Sequence, residues 1–482
     1  MFSSDILIQI SPYLWLTAGA FVVLALGLFV QNEKKPLFVL ITCMFLLLSI
    51  LSMFCIGDPV YIMNGLLLHD KFGCWFAVLL LVSLFVVVMM IPYQTKLVAE
   101  YPSAVLSLLL MSACGGLFMI FSNHLVVFFV GLELLSIPLY VLVGLGHHKG
   151  KSSEASFKYF LLGAVAAAVF IYGTALIWSS TSSMRIDELF EIFRSPLYQT
   201  LPKTFWFGLS LVVVSLLFKL GVFPFHFWIP DVYEAAPASI NAWMSTASKI
   251  AVVGVLIRLF YMFPVLDSFE PEHVTSKWMI TMGVFSIFSM MWGSIGGLYQ
   301  KDFKRLLGYS TISHMGYVLM FISSTFGKSY DETFEVLFFY LCIYVIANLV
   351  MFLLISQSEE KQDVTVDNCK GLVTSHPVIA LGFAFGLLSL AGLPPFAGFV
   401  AKFKLFYFVI GQGGIYLVIF AILSSIISVV YYFRILANMF LEDGHTTFQV
   451  QQEGRRIWLI LFLAFLLILF GILPQIVQNW LF

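Results

Sequence analysis

The chain has 482 residues, of which 61% are hydrophobic and only 11% are charged, and its mean hydropathy is +0.98. Soluble domains usually carry about 25% charged residues, so this composition excludes a soluble protein and predicts a polytopic membrane protein. The formal net charge of −1 argues against a nucleic-acid partner. Six cysteines are scattered without a CxxC pair, which argues against a metal site or a disulfide framework. They are Cys43, Cys55, Cys74, Cys114, Cys342 and Cys369.

Apolar runs of about 20 residues suit helices that cross a bilayer. No basic region precedes the first run, so we expect a spanning helix there and not a cleaved signal peptide. Fourteen spanning helices are predicted in all. The runs are 12–30, 36–56, 72–92, 104–121, 124–146, 155–179, 204–224 (continuing irregularly to 236), 239–262, 276–298, 303–325, 332–356, 376–409, 412–440 and 456–478.

Two of these runs, the seventh and the twelfth, are interrupted by glycine and proline. The seventh contains Gly221 and Pro224, and the twelfth contains Gly392 and Pro395, each 171 residues further along the chain. Paired breaks in corresponding segments indicate a transporter that is built from structural repeats. Glycine and proline are also common in membrane helices, so a chance match is the alternative.

The breaks define the expected domain organisation. Five helices in 104–262 would correspond to five in 276–440, with three peripheral helices in 1–100 and the last helix in 456–482. An odd number of helices per unit starts the second copy on the opposite side, so the repeats would be inverted. The predicted fold class is therefore an all-α polytopic membrane protein. It is a single integral membrane domain with about 14 transmembrane helices and two inverted five-helix repeats, each with a broken helix.

The loops predict the orientation of the chain in the membrane. Counted from the N-terminus, the odd-numbered loops carry twelve lysine and arginine residues and the even-numbered loops carry six. Cytoplasmic loops are enriched in lysine and arginine, so the odd loops are expected to face the cytoplasm. Both termini would then lie on the outer, periplasmic face.

Ionisable residues inside the apolar runs are candidates for a proton path, because a charge in the bilayer is costly unless it is paired or hydrated. Glu133 lies about ten residues from either end of its run, near the midplane. Lys219 comes two residues before the first break, and Lys249 sits in the middle of the next run. For each of the three, the alternative is a structural role: a hydrogen-bonded carboxyl, a buried lysine, or a lysine that satisfies carbonyls at the break.

The second half of the chain and the sixth run carry further candidates. Lys402 follows the second break, whereas its neighbour Lys404 is nearer the helix end and could reach the headgroups. His314 lies inside its run and could join lysines on either side as a relay, since imidazole titrates near physiological pH. A hydrogen-bonded core histidine is the alternative. Lys158 lies only a few residues inside its run, so snorkelling competes with a role in proton transfer.

Three polar residues lie beside the first break: His226, Asp231 and Glu234. Ordinary polar groups of a re-entrant segment are the alternative to a functional role, so the three remain unassigned. None of them has metal-ligand spacing. The sequence also contains no phosphate loop, nucleophile elbow, zinc motif or haem motif. We therefore expect a chain that moves protons and draws its driving force from partner proteins.

Three motifs resemble the antiporter-like, proton-translocating subunits of bacterial NADH-quinone oxidoreductase (respiratory complex I). They are FKLGVFPFHFWIPDVYEAAP at 218–237, KRLLGYSTISHMGYV at 304–318 and LAGLPPFAGFVAKF at 390–403. Among the antiporter-like subunits the chain is most similar to the N type. It is short, it ends after the fourteenth predicted helix without a lateral extension, and it has Lys402 where the M type has a glutamate.

The resemblance implies roles for the candidate residues. Glu133 and Lys219 would form the acid–lysine pair of the first half-channel, and Lys249 would be the connecting lysine. His314 would belong to the central relay, and Lys402 would be the lysine of the outward-facing half.

Lys158 matches a lysine that the N type carries. The resemblance also implies that NADH, flavin, iron–sulfur clusters and quinone bind in partner subunits, so none is expected in this chain. Expected partners are other membrane-arm subunits and lipids, in a bacterial inner membrane. One alternative is a subunit of a multi-subunit Na⁺/H⁺ antiporter or of a membrane-bound hydrogenase, because these share the fold and the lysines. The other is a stand-alone transporter or a structural scaffold, although a scaffold does not explain the charges in both repeats.

Overall fold

The protein is described from a computed structural model. The structure describes residues 4–30, 35–56, 59–91, 98, 100–146, 148–194, 202–260, 273–325, 330–358, 364–442 and 457–479. Several of the loop lysines that predict the orientation, among them Lys34, Lys96 and Lys361, lie outside the described residues.

Helices dominate the described residues. In chain order they are α1 Ser4–Phe29, α2 Lys35–Met53, α3 Lys71–Met90, α4 Pro102–Phe121, α5 Leu125–Val143, α6 Lys149–Thr181, α7 Ile186–Arg194, α8 Lys203–Leu220, α9 Trp228–Ala235, α10 Ala238–Phe260, α11 His273–Leu298, α12 Phe303–Ser324, α13 Tyr330–Ile355, α14 Leu372–Ser375, α15 Pro377–Ala391, α16 Ala397–Gly411, α17 Ile415–Phe440, α18 Ile457–Ile472 and α19 Gln475–Asn479. A short hairpin of β1 (Val60–Ile62) and β2 (Leu67–His69) connects α2 to α3.

The predicted fold class, an all-α polytopic membrane protein, is confirmed. Each of the fourteen predicted runs coincides with a helix or with a pair of half-helices. Eleven helices among the described residues are long and apolar enough to cross a membrane. Helices are the expected outcome, because a chain in lipid must satisfy its backbone polar groups within itself. The count of fourteen spans and the inverted repeats remain predictions.

Two helices, α10 and α13, lie at the centre of the molecule. In each, 94% of the most apolar stretch is buried, compared with 33% in the peripheral helices α1 and α17. The outer helices expose large apolar side chains such as Phe21 and Ile426, as expected for a surface in contact with lipid. A charged residue on α10 is therefore shielded from both lipid and water by other helices.

Both predicted breaks separate two half-helices, and a glycine in the left-handed region ends the first half in each case. Gly221 (φ 79°) ends α8, and Gly392 (φ 80°) ends α15. Glycine adopts this conformation without steric cost, which allows the chain to leave the helix abruptly. Because the helix stops inside the bundle, its last carbonyl groups need partners other than the next turn.

An ion pair joins the start of α3 to the end of α10 on the predicted outer face. Asp70 accepts from the backbone N–H of Gly73 as the N-cap of α3. The same carboxylate accepts two hydrogen bonds from Arg258, at 2.7 and 3.0 Å, and Arg258 also donates to the carbonyl of Ile120. One carboxylate thus fixes a helix start and positions a largely buried guanidinium.

We expect Asp70→Ala to lower the stability of the assembled protein by about 3 kcal/mol, because it leaves a mostly buried arginine without its counter-charge. The measurement is the thermal unfolding of the purified protein. Lys370→Ala is the matched control, since it breaks the exposed pair with Glu442 and should leave the stability almost unchanged. Equal losses in the two variants would contradict the prediction.

Candidate functional site

The first break brings two lysines from different helices together. Lys219, in the last turn of α8, and Lys249, in the middle of α10, are both almost completely buried. The ammonium of Lys249 donates to the backbone carbonyl of Lys219 at 3.1 Å. Lys249 therefore satisfies a carbonyl that the broken helix leaves without an intrahelical partner, where a positive charge is also favoured by the helix dipole.

Aromatic side chains surround the two lysines. Lys219 donates to the hydroxyl of Tyr159 at 2.8 Å and lies 5.6 Å from the ring centre of Tyr140. Tyr159 stacks on Trp228, the first residue of α9, with ring centres 4.6 Å apart. Lys249 lies 5.3 Å from the ring centre of Trp228. Each of the two stacked rings thus has one lysine over it, and cation–π contacts partly compensate the burial of both charges.

Glu133 lies on α5 and is half-buried. It interacts electrostatically with Lys219 and with Tyr140. No ion pair within 4.0 Å joins Glu133 to Lys219 in the described part of the chain, and one buried carboxylate oxygen of Glu133 has no hydrogen-bond partner there. The acid and the lysine are thus neighbours without direct contact, with the Tyr140 ring beside both.

The second break holds Lys402 in a similar environment. Lys402, on α16, donates to the carbonyl of Ala391 at 3.0 Å, and Ala391 is the last residue of α15. A second hydrogen bond of 3.1 Å reaches the hydroxyl of Ser425. The ammonium lies 5.3 Å from the ring centre of Tyr317. At both breaks a buried lysine therefore donates to the last carbonyls of the first half-helix.

His314 lies on α12 among three tyrosines. Its Nδ1 is 2.7 Å from the hydroxyl of Tyr340, and its ring lies 5.3 Å from Tyr344 and 5.6 Å from Tyr317. His314 and Lys402 interact electrostatically. Both line a cavity of about 10 Å³, roughly the space of one water molecule, together with Ser389 and Tyr340.

Hydroxyl groups connect α9, the second half-helix of the first break, to the surroundings of His314. Tyr344 donates to Thr311 at 3.2 Å, and Tyr233 on α9 interacts electrostatically with Tyr344. The hydroxyl of Tyr233 is buried and has no hydrogen-bond partner by distance and angle among the described residues. Polar groups thus continue between the two breaks, and proton movement between the described hydroxyls requires their rearrangement or added water.

Lys158 lies apart from this buried axis. Its side chain is 47% exposed, and it forms ion pairs with Glu154 at 2.7 Å and with Asp231 at 3.4 Å. Asp231 and Glu234, which the sequence left unassigned, both accept from Arg305. The structure therefore brings Glu133, Lys219 and Lys249 together at one break and His314 and Lys402 at the other, and places Lys158 in a separate charged cluster.

Lys404 and His226, which the sequence analysis also considered, lie outside the buried axis. Lys404 is half-buried, with its ammonium 5.2 Å from the ring centre of Phe339, and interacts electrostatically with Glu335. His226 is buried against the rings of Phe223 and Trp292. Among the described residues, no hydrogen bond or ion pair joins either of them to a lysine of the axis.

Sequence reasoning missed the neutral groups that surround the lysines. They are Tyr140, Tyr159, Trp228, Tyr317, Tyr340, Tyr344 and Ser425. Tyrosine and serine are common in membrane helices and carry no charge, so hydropathy gives no signal for them. No group of histidine, cysteine and acidic residues that could hold a metal ion occurs among the residues described here.

Buried titratable side chains beside two broken helices, within a bundle of apolar helices, define a class of polytopic ion-translocating membrane proteins. Residues 122–428 match the family model described as "NADH:quinone oxidoreductase/Mrp antiporter, TM". This match covers more than half of the chain, and the chain belongs to this family.

Curated relatives narrow the assignment to one subunit type. NADH-quinone oxidoreductase subunit N from Cytophaga hutchinsonii is 37% identical over 77% of this chain and 78% of the relative. Subunit N from Desulfitobacterium hafniense is 33% identical over 94% of both chains. The predicted assignment, an antiporter-like membrane-arm subunit of NADH-quinone oxidoreductase, is confirmed, and the antiporter or hydrogenase alternative is not favoured.

Solved structures agree with this assignment. A chain of respiratory complex I from Thermus thermophilus superimposes with a TM-score of 0.81 at 29% identity, covering 97% of this chain and 98% of that one. A chain of an archaeal membrane-bound sulfane sulfur reductase gives a TM-score of 0.86 at 23% identity, covering 99% of this chain and 96% of that one, a similarity of fold alone.

Proposed function

We propose that this chain translocates protons through a buried axis of Glu133, Lys219, Lys249, His314 and Lys402. Electron transfer from NADH to quinone in partner subunits would supply the energy. The observation that carries the proposal is the placement of buried lysines at both helix breaks, where each donates to a carbonyl of a half-helix. Such a lysine can hold a proton there and release it when the half-helix moves.

The order of the groups suggests a route. Glu133 and Lys219 would exchange charge at the first break, and Lys249 would pass the proton toward His314 through the intervening hydroxyls. His314 and Lys402 share a cavity large enough for about one water, which could bridge them. Like charges on neighbouring lysines repel, so a proton that arrives at one lysine favours release from the next.

The proposed setting is a bacterial inner membrane with both termini on the outer face, as the loop charges predict. Other membrane-arm subunits and lipids would cover the apolar outer helices. NADH, flavin, iron–sulfur clusters and quinone would bind in those partners. The 104–262 and 276–440 units would act as two half-channels, and Lys158 would lie at the cytoplasmic end of the first, in the charged cluster outside the buried axis.

Lys402→Ala tests the proposal against a lysine two residues away. In membrane vesicles that contain the assembled complex, Lys402→Ala should lower the initial rate of NADH-driven proton uptake at least about tenfold, a change of about 1.4 kcal/mol in barrier height. Lys404→Ala should leave the rate near wild type, because Lys404 lies outside the axis. Wild-type uptake by Lys402→Ala at normal assembly would refute the proposed function.

A further inference from the structure

Two carboxylates on the half-helix α9 are each shared between two neighbouring helices. Asp231 has one oxygen 2.8 Å from Arg305 on α12 and the other 3.4 Å from Lys158 on α6. Glu234 has one oxygen 2.9 Å from Arg305 and the other 3.2 Å from Lys151 on α6. The half-helix therefore lies between cations on both sides, and a small shift would shorten one set of contacts at the expense of the other.

The backbone at the end of α9 is attached to the same two helices. Lys304, beside Arg305 on α12, donates to the carbonyl of Ala236 at 2.9 Å. Ser152 on α6 donates to the carbonyl of Ala235 at 3.2 Å. Gly308 on α12 lies against Tyr233 of α9, where an added Cβ would meet the tyrosine side chain at 3.5 Å. Close packing and charge thus connect α9 to α12 along its whole length.

The two connected helices reach different parts of the buried axis: α9 contacts the lysines of the first break, and α12 carries His314. Trp228, the first residue of α9, lies between Tyr159 and Lys249, and its indole N–H donates to the carbonyl of Phe218 in the last turn of α8. On α12, His314 follows Arg305 by nine residues, or about 13 Å along a rigid helix. A displacement of α9 would therefore change the contacts of the lysines at the first break and, through α12, the position of His314.

We propose that Asp231, Glu234 and Arg305 are positioning residues that couple the half-helix α9 at the first break to the helix that carries His314, with Lys151 and Lys158 as competing partners on α6. The inference rests on the proposed proton translocation. The inference adds to the proposed function because it assigns the coupling between the two halves of the chain to one cluster of ion pairs on the predicted cytoplasmic face. None of these five residues carries the translocated proton.

The cluster suits a two-state element. Exposed ion pairs contribute little stability, so exchanging one for another costs little free energy. Lys158 has an alternative partner, Glu154 at 2.7 Å on its own helix, when Asp231 moves toward Arg305. Arg305 has a third contact, to Gln300 at 3.1 Å, which keeps its guanidinium oriented when a carboxylate leaves. A switch needs two arrangements of similar free energy, and these contacts provide them.

The first test uses Arg305→Gln in the assembled complex. We expect the initial rate of NADH-driven proton uptake to fall at least about fivefold, the lower end of the usual range for coupling between sites. The amount of assembled complex should stay near wild type, because the arginine is partly exposed. Lys370→Gln is the matched control: it breaks another ion pair on the predicted cytoplasmic face, with Glu442, and should leave the rate unchanged. A wild-type rate for Arg305→Gln would overturn the proposal.

The second test separates positioning from proton carriage. If Arg305 and Lys158 act only through the carboxylates, Arg305→Gln or Lys158→Gln should have no further effect when added to Asp231→Asn/Glu234→Gln. A further fivefold loss in either combination would overturn the proposal, since that residue would then act independently. Lys158→Gln also covers the case in which Arg305→Gln fails to assemble, because Lys158 is exposed. If Lys402→Ala loses proton uptake while Arg305→Gln and Lys158→Gln keep wild-type rates, the coupling role of the ion cluster is rejected and the proposed function stands.

Discussion

Replacing Lys249 by alanine is expected to lower NADH-driven proton uptake about a hundredfold, the lower end of the contribution of a positioned proton-transfer group. Lys249 lies between the two breaks in the chain, contacts the Trp228 ring and donates to the carbonyl of Lys219. Alanine leaves a gap in the axis and removes the positive charge at the end of α8. The measurement is initial proton uptake by vesicles that contain equal amounts of assembled complex.

Two further variants separate loss of the proton site from loss of packing. Lys249→Met fills a similar volume without a charge, so it should be as inactive as alanine and assemble at least as well. Lys249→Arg keeps the charge and should also be inactive, because a guanidinium does not release its proton. Substantial uptake by either variant would show that Lys249 supports the fold without carrying protons.

Gly398→Ala is expected to prevent normal assembly, because the second break has no room for a side chain at this position. A Cβ on Gly398 would lie 1.7 Å from the carbonyl oxygen of Ser389 and 2.6 Å from its carbonyl carbon. Backbone atoms cannot yield as a flexible side chain can, so α15 and α16 must move apart. That movement displaces Lys402, one turn further along α16, from the carbonyl of Ala391. Overpacking of this kind typically costs 1–3 kcal/mol and occasionally more.

The readout for Gly398→Ala is the amount of the chain that co-purifies with the complex, followed by its thermal stability. Gly411→Ala is the matched control in the same helix, since an added Cβ there would have no described atom within 4 Å beyond its chain neighbours and the backbone of its own helix. Alanine at position 411 should be neutral or slightly stabilising, because it reduces the conformational freedom of the unfolded chain. Equal assembly of the two variants would contradict the close approach at the second break.

The sequence by itself determined the membrane class, the position of the helices and the two breaks. These features are local: hydropathy over about 20 residues sets a span, and glycine with proline sets an interruption. The sequence also selected Lys219, Lys249 and Lys402 as buried lysines, since each lies well inside an apolar run or beside a break. For Lys158 it left two options, because depth along a helix near its end does not determine which way a long side chain points.

Only the tertiary structure decided which groups meet. Tyr159 lies 60 residues from Lys219 in the chain, and Arg305 lies 74 residues from Asp231, so no spacing rule relates them. The partners that make a buried lysine tolerable are neutral or backbone groups, which leave no mark in hydropathy or charge. The ion pairs of Asp231 and Glu234 became visible only in the packing of α6, α9 and α12. A hydropathy profile reports how deep each residue lies in the membrane, whereas the neighbours at that depth depend on how the helices pack around one another.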